Sequence, residues 1–356
     1  SPSGITRTTE RRIIVQESKD HVLATLGGSI NGAALSLFKY QTDLSRELTE
    51  LHRFAHVDVG RGVGQLITVR DDYFVTVPVS GVVAVVNETA ARLSRRVPVD
   101  GEPYAIAEAL DSVWVFDARR PLVTAIDRRL KVLRRSTIDQ LSSPIITAKN
   151  VVIENEERLI VLCANQELLV INPEAFISNQ PSRAVTNRIN LAAMVTPDSD
   201  ASPTSSSPVA GGLIIHQDDR LIAYTPRGAL SFSIADLELE DPSPHWLLRS
   251  VSSIRSMVAH QGSLWTASSQ GLRRFNWPED GSGLTDPNES VEGAILDLNQ
   301  QSALASLPDT LMGEPVLITA NARQVTHLSS DSLRQVLITP DLNPQQLLVT
   351  ERERRE

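Results

Sequence analysis

The chain has a single cysteine, Cys163, in 356 residues, so no intrachain disulfide can staple it. Flanked by apolar residues in RLIVLCANQ, that cysteine reads as a small buried hydrophobe. A catalytic thiol would want a histidine nearby in space, which sequence alone does not show. Lysine is scarce too: four (Lys19, Lys39, Lys131, Lys149) stand against thirty arginines. Arginine keeps its charge at any pH and presents a fork of donors, so it suits interfaces; codon usage in a GC-rich genome gives the same bias. No stretch approaches the roughly 18 uninterrupted apolar residues of a membrane-spanning helix. The opening SPSGITRTTERR lacks the apolar core of a signal peptide. A basic excess is missing as well. The formal net charge of −9 and pI near 5.4 argue against a nucleic-acid partner. What remains, 41% hydrophobic and 22% charged residues, is an ordinary soluble globular composition and excludes wholesale disorder.

Helical periodicity is scarce. Its best example is Thr42 to Arg53, where Leu44, Leu48 and Leu51 fall at helical spacing behind Asp43 as a cap, and a helix is expected there. Elsewhere, short Val-, Ile- and Leu-rich runs alternate with turn residues, which predicts many short strands.

These runs repeat. Residues 65–87, 104–127, 150–172, 212–233 and 256–276 share one grammar: strand, acidic or polar turn, strand, polar turn, strand. The second strand begins at Tyr73, Val113, Leu159, Leu221 and Leu264, giving spacings of 40, 46, 62 and 43 residues. Weaker copies at 21–38 and 314–328 extend the series to seven. The unit is clearest at Tyr104–Ala109, Val113–Asp117, Leu122–Asp127 and Leu130–Ser136. Four short antiparallel strands repeated seven times predict an all-β, seven-bladed β-propeller. Blades are expected near 12–56, 57–100, 101–142, 143–192, 209–250, 251–290 and 291–350, with an N-terminal extension over 1–11 and a charged tail over 351–356. A β-helix would have a shorter repeat, and a β-sandwich would not show seven equivalent phases. Phe74, Trp114 and Trp265 share one place in the second strand and suggest a layer packed between blades. Ring closure falls to the strand-like termini, Ile13–Gln16 and Gln346–Thr350. The polar, proline-containing segment 196–208 is expected to be a mobile insertion.

At GEPYAIAEALDSVWVFDARRPLVTAID (101–127) the sequence resembles the short-repeat propellers of the YVTN, NHL and streptogramin-lyase kind. Gly101, Pro103, Ala105, Ile106, Ala107, Trp114, Val115, Ile126 and Asp127 carry the match. It is good in this repeat, partial in 65–87 and 150–172, and poor in the outer ones. The resemblance implies a fold more than a function. Streptogramin lyases work with a histidine and a metal in the channel, yet no position here matches theirs.

Candidate chemistry is thin. His216 and His260 occupy one phase of successive repeats and read as a duplicated peripheral turn; the alternative is that equivalent groups converge on a channel mouth. Gly60, Gly62 and Gly64 precede a strand at the wrong spacing for a dinucleotide loop and read as an inter-blade turn. Asp71–Asp72, Glu156–Glu157 and Asp218–Asp219 read as turn formers, because consecutive acids point to opposite sides of a strand. Asn87 and Asn288 begin sequons. No catalytic-triad spacing, zincin motif or C-x-x-C is present, and no cofactor or metal is implied.

One charge feature remains. From Arg95 to Arg135, nine basic residues face six acidic ones in an otherwise acidic chain. Arg119, Arg120, Arg134 and Arg135, with Arg227 at the equivalent turn two blades on, are expected on one face, with Arg128 and Arg129 on the other. Such a rim would attract a protein partner with an acidic segment. The sequence therefore reads as a non-catalytic binding or scaffold propeller. The alternative is a metal-dependent lyase or lactonase with its site in the channel. Compartment is left open: the unpaired Cys163 points to a reducing one, whereas the resemblance and the trimmed-looking SPSG start point to the cell envelope. That start and the TERERRE ending suggest a piece of a longer polypeptide.

Overall fold

The computed structural model describes residues 15–29, 31–43, 48–141, 143–195, 211–217, 219–249, 253–268, 271–276, 303–307, 316–320, 324–329, 332–338 and 344–351. Its strands fall into seven antiparallel sheets in chain order. The first holds β1 (Val15–Ser29), β2 (Gly32–Asp43) and β3 (Leu48–Gly60). The second holds β4 (Leu66–Val69), β5 (Asp72–Val77), β6 (Val82–Asn87) and β7 (Arg92–Pro98). The third holds β8 (Pro103–Ala109), β9 (Ser112–Asp117), β10 (Leu122–Asp127) and β11 (Val132–Thr137). The fourth holds β12 (Ile145–Ile153), β13 (Glu156–Cys163), β14 (Glu167–Ile171) and β15 (Val185–Asn190), with short helices α1 (Pro173–Ile177) before β15 and α2 (Leu191–Val195) after it. The fifth holds β16 (Gly212–His216), β17 (Arg220–Thr225), β18 (Gly228–Ser233) and β19 (Trp246–Arg249). The sixth has β20 (Ile254–His260), β21 (Ser263–Ser268) and β22 (Gly271–Asn276) among the described residues. The seventh holds β23 (Ala303–Leu307), β24 (Val316–Ala320), β25 (Gln324–Ser329) and β26 (Ser332–Ile338). The last strand, β27 (Pro344–Glu351), leaves the seventh sheet and pairs with β1 over His21–Gly27, giving the order β27-β1-β2-β3.

Local chemistry builds the repeat. The first-to-second-strand turn holds successive residues at positive φ, Leu110–Asp111, Glu154–Asn155 and Gln261–Gly262. That is the backbone twist a two-residue hairpin needs. Burial then separates the strands by position. Every residue of β9 is buried, whereas β11 is mostly exposed. Second and third strands are apolar on both faces because each sheet packs against one on either side. Phe74, Val83 and Val85 meet Ile106, Val113 and Val115 between the second and third sheets. Trp114 and Ala125 meet Leu159 and Val161 between the third and fourth, where Trp114 meets the Phe176 ring edge-on at 5.3 Å. The expected aromatic layer is present: Phe74 and Trp114 are buried, and Trp265 packs on the cluster of Ala267, Leu272 and Leu304. First strands pack on one another in sequence, β4 on β8, β8 on β12, β12 on β16, β16 on β20 and β20 on β23. β27 packs against both β23 and β4.

The expected helix over Thr42 to Arg53 is not formed. Thr42 and Asp43 end β2, and Leu48 to Arg53 belong to β3, which runs on to Gly60. Alternation of buried Ala55, Val57 and Val59 with exposed His56 and Asp58 marks the true period. Segment 196–208, Ile13 and Asn288 lie outside the described residues.

Candidate functional site

Two places gather charge. The first is an outer edge of the third sheet, built around buried Asp117 at the end of β9. Its Oδ1 accepts the backbone N–H groups of Arg119 and Arg120, both at 2.8 Å. Its Oδ2 accepts the N–H of Glu102 at 2.8 Å and the Arg120 guanidinium at 3.3 Å. Burial pushes this carboxyl up, but the Arg119, Glu102 and Arg120 donors outweigh it and hold the group below the ordinary aspartate range. Gly101 adopts φ +87° beneath the Arg120 and Asp117 side chains, where a Cβ would collide with both. The loop from 100 to 102 collects three arginines. Arg119 pairs with Glu102 at 3.0 Å, Arg120 with Asp117, and Arg135 with Asp100 at 2.5 Å.

Of the five arginines expected on one face, the structure thus brings Arg119, Arg120 and Arg135 together. Arg134 stands apart, because neighbouring residues of β11 point to opposite sides. Its guanidinium lies over the Phe176 ring at 5.4 Å and donates to Asn179 Oδ1. Arg227 is exposed at the equivalent turn of the fifth sheet, between β17 and β18. Arg128 sits in the β10–β11 turn, paired with Asp111.

The second place is a cavity of about 740 Å³ where the first strands meet, walled by residues of β4, β8, β12, β16, β20 and β23. Three of those strands carry a bulge at their second residue. Pairing jumps past Tyr104 in β8, Ile146 in β12 and Arg255 in β20, and all three residues line the cavity. A bulge re-aims the side chain it carries. Gln65 Nε2 donates to the Ile146 carbonyl at 2.5 Å, tying the second sheet to the fourth.

Five charged residues line this space, and their environments differ. Glu157 accepts the Leu110 N–H at 2.8 Å and the Asn150 amide at 2.7 Å, and Asp111 holds Arg128. Burial pushes the Glu108 carboxyl up, with Glu157 adding to this while Arg128 and Arg70 oppose it. Lys149 and Arg255 have no hydrogen-bond or ion-pair partner among the described residues. Lys149 reaches the water of the cavity, yet protein surrounds it, and that burial pulls its ammonium below the ordinary lysine range. Burial likewise pushes the Tyr104 phenol up. Sequence reasoning missed all of these residues. Lys149 in TAKN and Arg255 in SIRS look like ordinary surface positions, and no local pattern announces a bulge.

The remaining candidates are structural. His216 and His260 end first strands, directly before the first-to-second-strand turns, and burial lowers both pKa values. His260 Nδ1 shares a 2.8 Å hydrogen bond with Ser306 of the next sheet. Burial pushes the Cys163 thiol up to about 12, which makes it inert. Gly60, Gly62 and Gly64 lie at the β3–β4 junction, and Asp71–Asp72 and Glu156–Glu157 at first-to-second-strand turns. Among the described residues, no three His, Cys, Asp or Glu side chains group as metal ligands, and no helix is long and apolar enough to cross a membrane.

No family model and no curated protein matches the chain. Solved structures do. The N-terminal domain of BBS1, crystallised in complex with ARL6 and soaked with mercury, superimposes with a TM-score of 0.54 at 12% identity, covering 78% of this chain and 83% of that one. The lead-soaked form of the same complex gives 0.54 and 12%, covering 82% and 92%. At this identity the likeness concerns fold alone. The protein has a β-propeller-like, antiparallel all-β fold.

Proposed function

We propose that the seven sheets are the blades of one closed propeller of the YVTN, NHL and streptogramin-lyase repeat type, and that it is a non-catalytic scaffold binding a protein partner through an acidic segment. Closure is supported by the succession of packed first strands and by β27, which touches β23 and β4 and pairs with β1. The observation that carries the function is the convergence of Arg119, Arg120 and Arg135 on the loop from 100 to 102 in a chain of net charge −9. Arg119 and Arg120 keep 77% and 52% of their side-chain surface in water. Exposed ion pairs contribute only about 0–1 kcal/mol, so an incoming carboxylate can exchange for the internal one at little cost. The BBS1 domain of similar fold was crystallised with a protein bound, which agrees with this reading.

The test is a triple variant, Arg119→Ser, Arg120→Ser and Arg135→Ser, used beside wild type to capture partners from the native host across a salt series. Partners should be lost, or should elute at lower salt, as expected for contacts screened over about 10 Å at 0.1 M. Identical partners with an identical salt profile would remove the arginine edge from the interface. An Arg134→Ser variant serves as the control on the opposite side of β11.

A further inference from the structure

The cavity among the first strands holds two cations that the protein leaves without a counter-charge. Elsewhere six arginines that meet protein reach carboxylates, Arg119, Arg120, Arg128, Arg135, Arg158 and Arg188, while Arg134 and Arg274 rest on aromatic rings. Even Arg158, buried between the fourth and fifth sheets, has Glu156 at 2.6 Å and Glu238 at 2.7 Å. Like Arg134 and Arg274, Lys149 and Arg255 stand without a carboxylate, and they do so on two strands of one cavity; both reach its water, Arg255 is exposed, and the surrounding protein pulls the Lys149 ammonium below the ordinary lysine range. The bulge in β20 adds a second, independent sign of construction. A regular strand would keep Arg255 in the alternating ladder; the extra residue turns it to the cavity instead. The bulge in β8 does the same for Tyr104, whose phenol can donate a hydrogen bond.

We propose that this cavity is a binding site for a small anionic metabolite, one bearing a phosphate or carboxylate group, with Lys149 and Arg255 supplying the counter-charge and Tyr104 a neutral donor. A volume of about 740 Å³ lies in the ordinary range for small-molecule sites. Arg255 offers the bidentate fork that both anions accept, and Lys149 adds a compact point charge. Three carboxylates share the wall: Asp111 is held by Arg128, Glu157 accepts from Leu110 and Asn150, and burial pushes the Glu108 carboxyl up, toward its neutral form; none of them pairs with Lys149 or Arg255. The site is separate from the arginine edge and does not depend on a protein partner.

Calorimetric titration of the full chain with inorganic phosphate and with citrate, at ionic strength held constant with chloride, tests the proposal. At least one probe should bind saturably. Lys149→Gln and Arg255→Gln should each weaken it at least tenfold, Lys149→Arg should restore most of the affinity, and Arg227→Gln should leave it unchanged. A response to phosphate alone, or to citrate alone, assigns the anion class. Wild type provides a second readout that needs no variant. Acylation of Lys149 by an amine-reactive ester, followed by mass spectrometry, should be slowed by the bound anion while Lys39 and Lys131 are labelled as before. The proposal is overturned if neither probe binds saturably, if both glutamine variants bind as wild type does, or if neither anion protects Lys149.

Discussion

At the outer edge of the third sheet, Arg119, Arg120 and Arg135 each reach a carboxylate; at the inner wall, Lys149 and Arg255 reach none among the described residues. The edge cations stand largely in water, where a partner matters little for stability. The wall cations reach the water of the cavity too, but the protein around Lys149 disfavours its charge. Charge counted along the chain points to the edge, because that is where basic residues are dense. Uncompensated charge, which is what recognises a ligand, lies where basic residues are sparse. Arginines on the outer strands also have a plain structural use. Arg92, Arg95 and Arg96 on β7, Arg134 and Arg135 on β11, and Arg188 on β15 all stand on fourth strands, which are sheet edges. Charged edge strands discourage pairing with other chains.

The largest effect should come from breaking the inner wall as a continuous structure. Deleting 345–356 removes most of β27, which pairs with β1 and packs against β23 and β4. Its loss opens the proposed ring and exposes the edge of β1. The melting temperature should fall by roughly 10 °C or more, since each kcal/mol is worth about 2–4 °C in a domain of 150–250 residues. Differential scanning calorimetry reads this directly, and an unchanged melting curve would show that β27 is not part of the closure.

A smaller loss is expected at the edge, and it should come from the acid rather than from the arginines around it. Asp117→Ala leaves the N–H groups of Glu102, Arg119 and Arg120 without their acceptor. An unsatisfied buried donor costs about 1–3 kcal/mol, and partial access to water keeps the total near the upper end of that range for all three together. The pKa of Asp117 is lowered by folding, so its contribution is complete above the ordinary aspartate pKa and is lost as pH falls through the lower, folded-state value. Urea melts at neutral pH and in the acid limb should separate the variant from wild type in the first condition and bring them together in the second. A constant difference across both would mean that the carboxylate charge has no part in the staple.

Legibility followed the same division. Strands from β4 to β14 could be read because buried second and third strands leave unbroken apolar runs between turn residues, as in VVAVV and RLIVLC. The false helix over Thr42 to Arg53 arose from three leucines at a chance spacing, while the alternation of Ala55, Val57 and Val59 lay just beyond it. Arg119, Arg120 and Arg135 lie near one another because sequence neighbours and turn partners stay close in a hairpin, whereas Arg134 points to the other side of β11. The cavity residues were invisible for a different reason. Lys149 and Arg255 lie on strands of different sheets, more than one hundred residues apart, and only the packing of first strands brings them to one space.

The smallest effect separates wall from edge most sharply, because its sign is opposite. Replacing an ordinary paired cation weakens a protein; replacing Lys149 should not. Folding lowers its pKa, so below that folded value the native state carries a charge it solvates poorly, and Lys149 destabilises the fold there. As pH rises from the folded value to the ordinary lysine value, the native state sheds the proton before the unfolded chain does, and the penalty fades. Lys149→Gln should therefore equal or exceed wild type at neutral pH in chloride buffer, by no more than about 1 kcal/mol, within the range for a substitution that opens no cavity. The advantage should shrink as the buffer is taken toward pH 10. Chemical denaturation of both proteins at four or five pH values measures it. A variant less stable than wild type at neutral pH would mean that Lys149 already has a favourable partner within the fold, and the contrast between a paired edge and an unpaired wall would fail at the residue that most defines it.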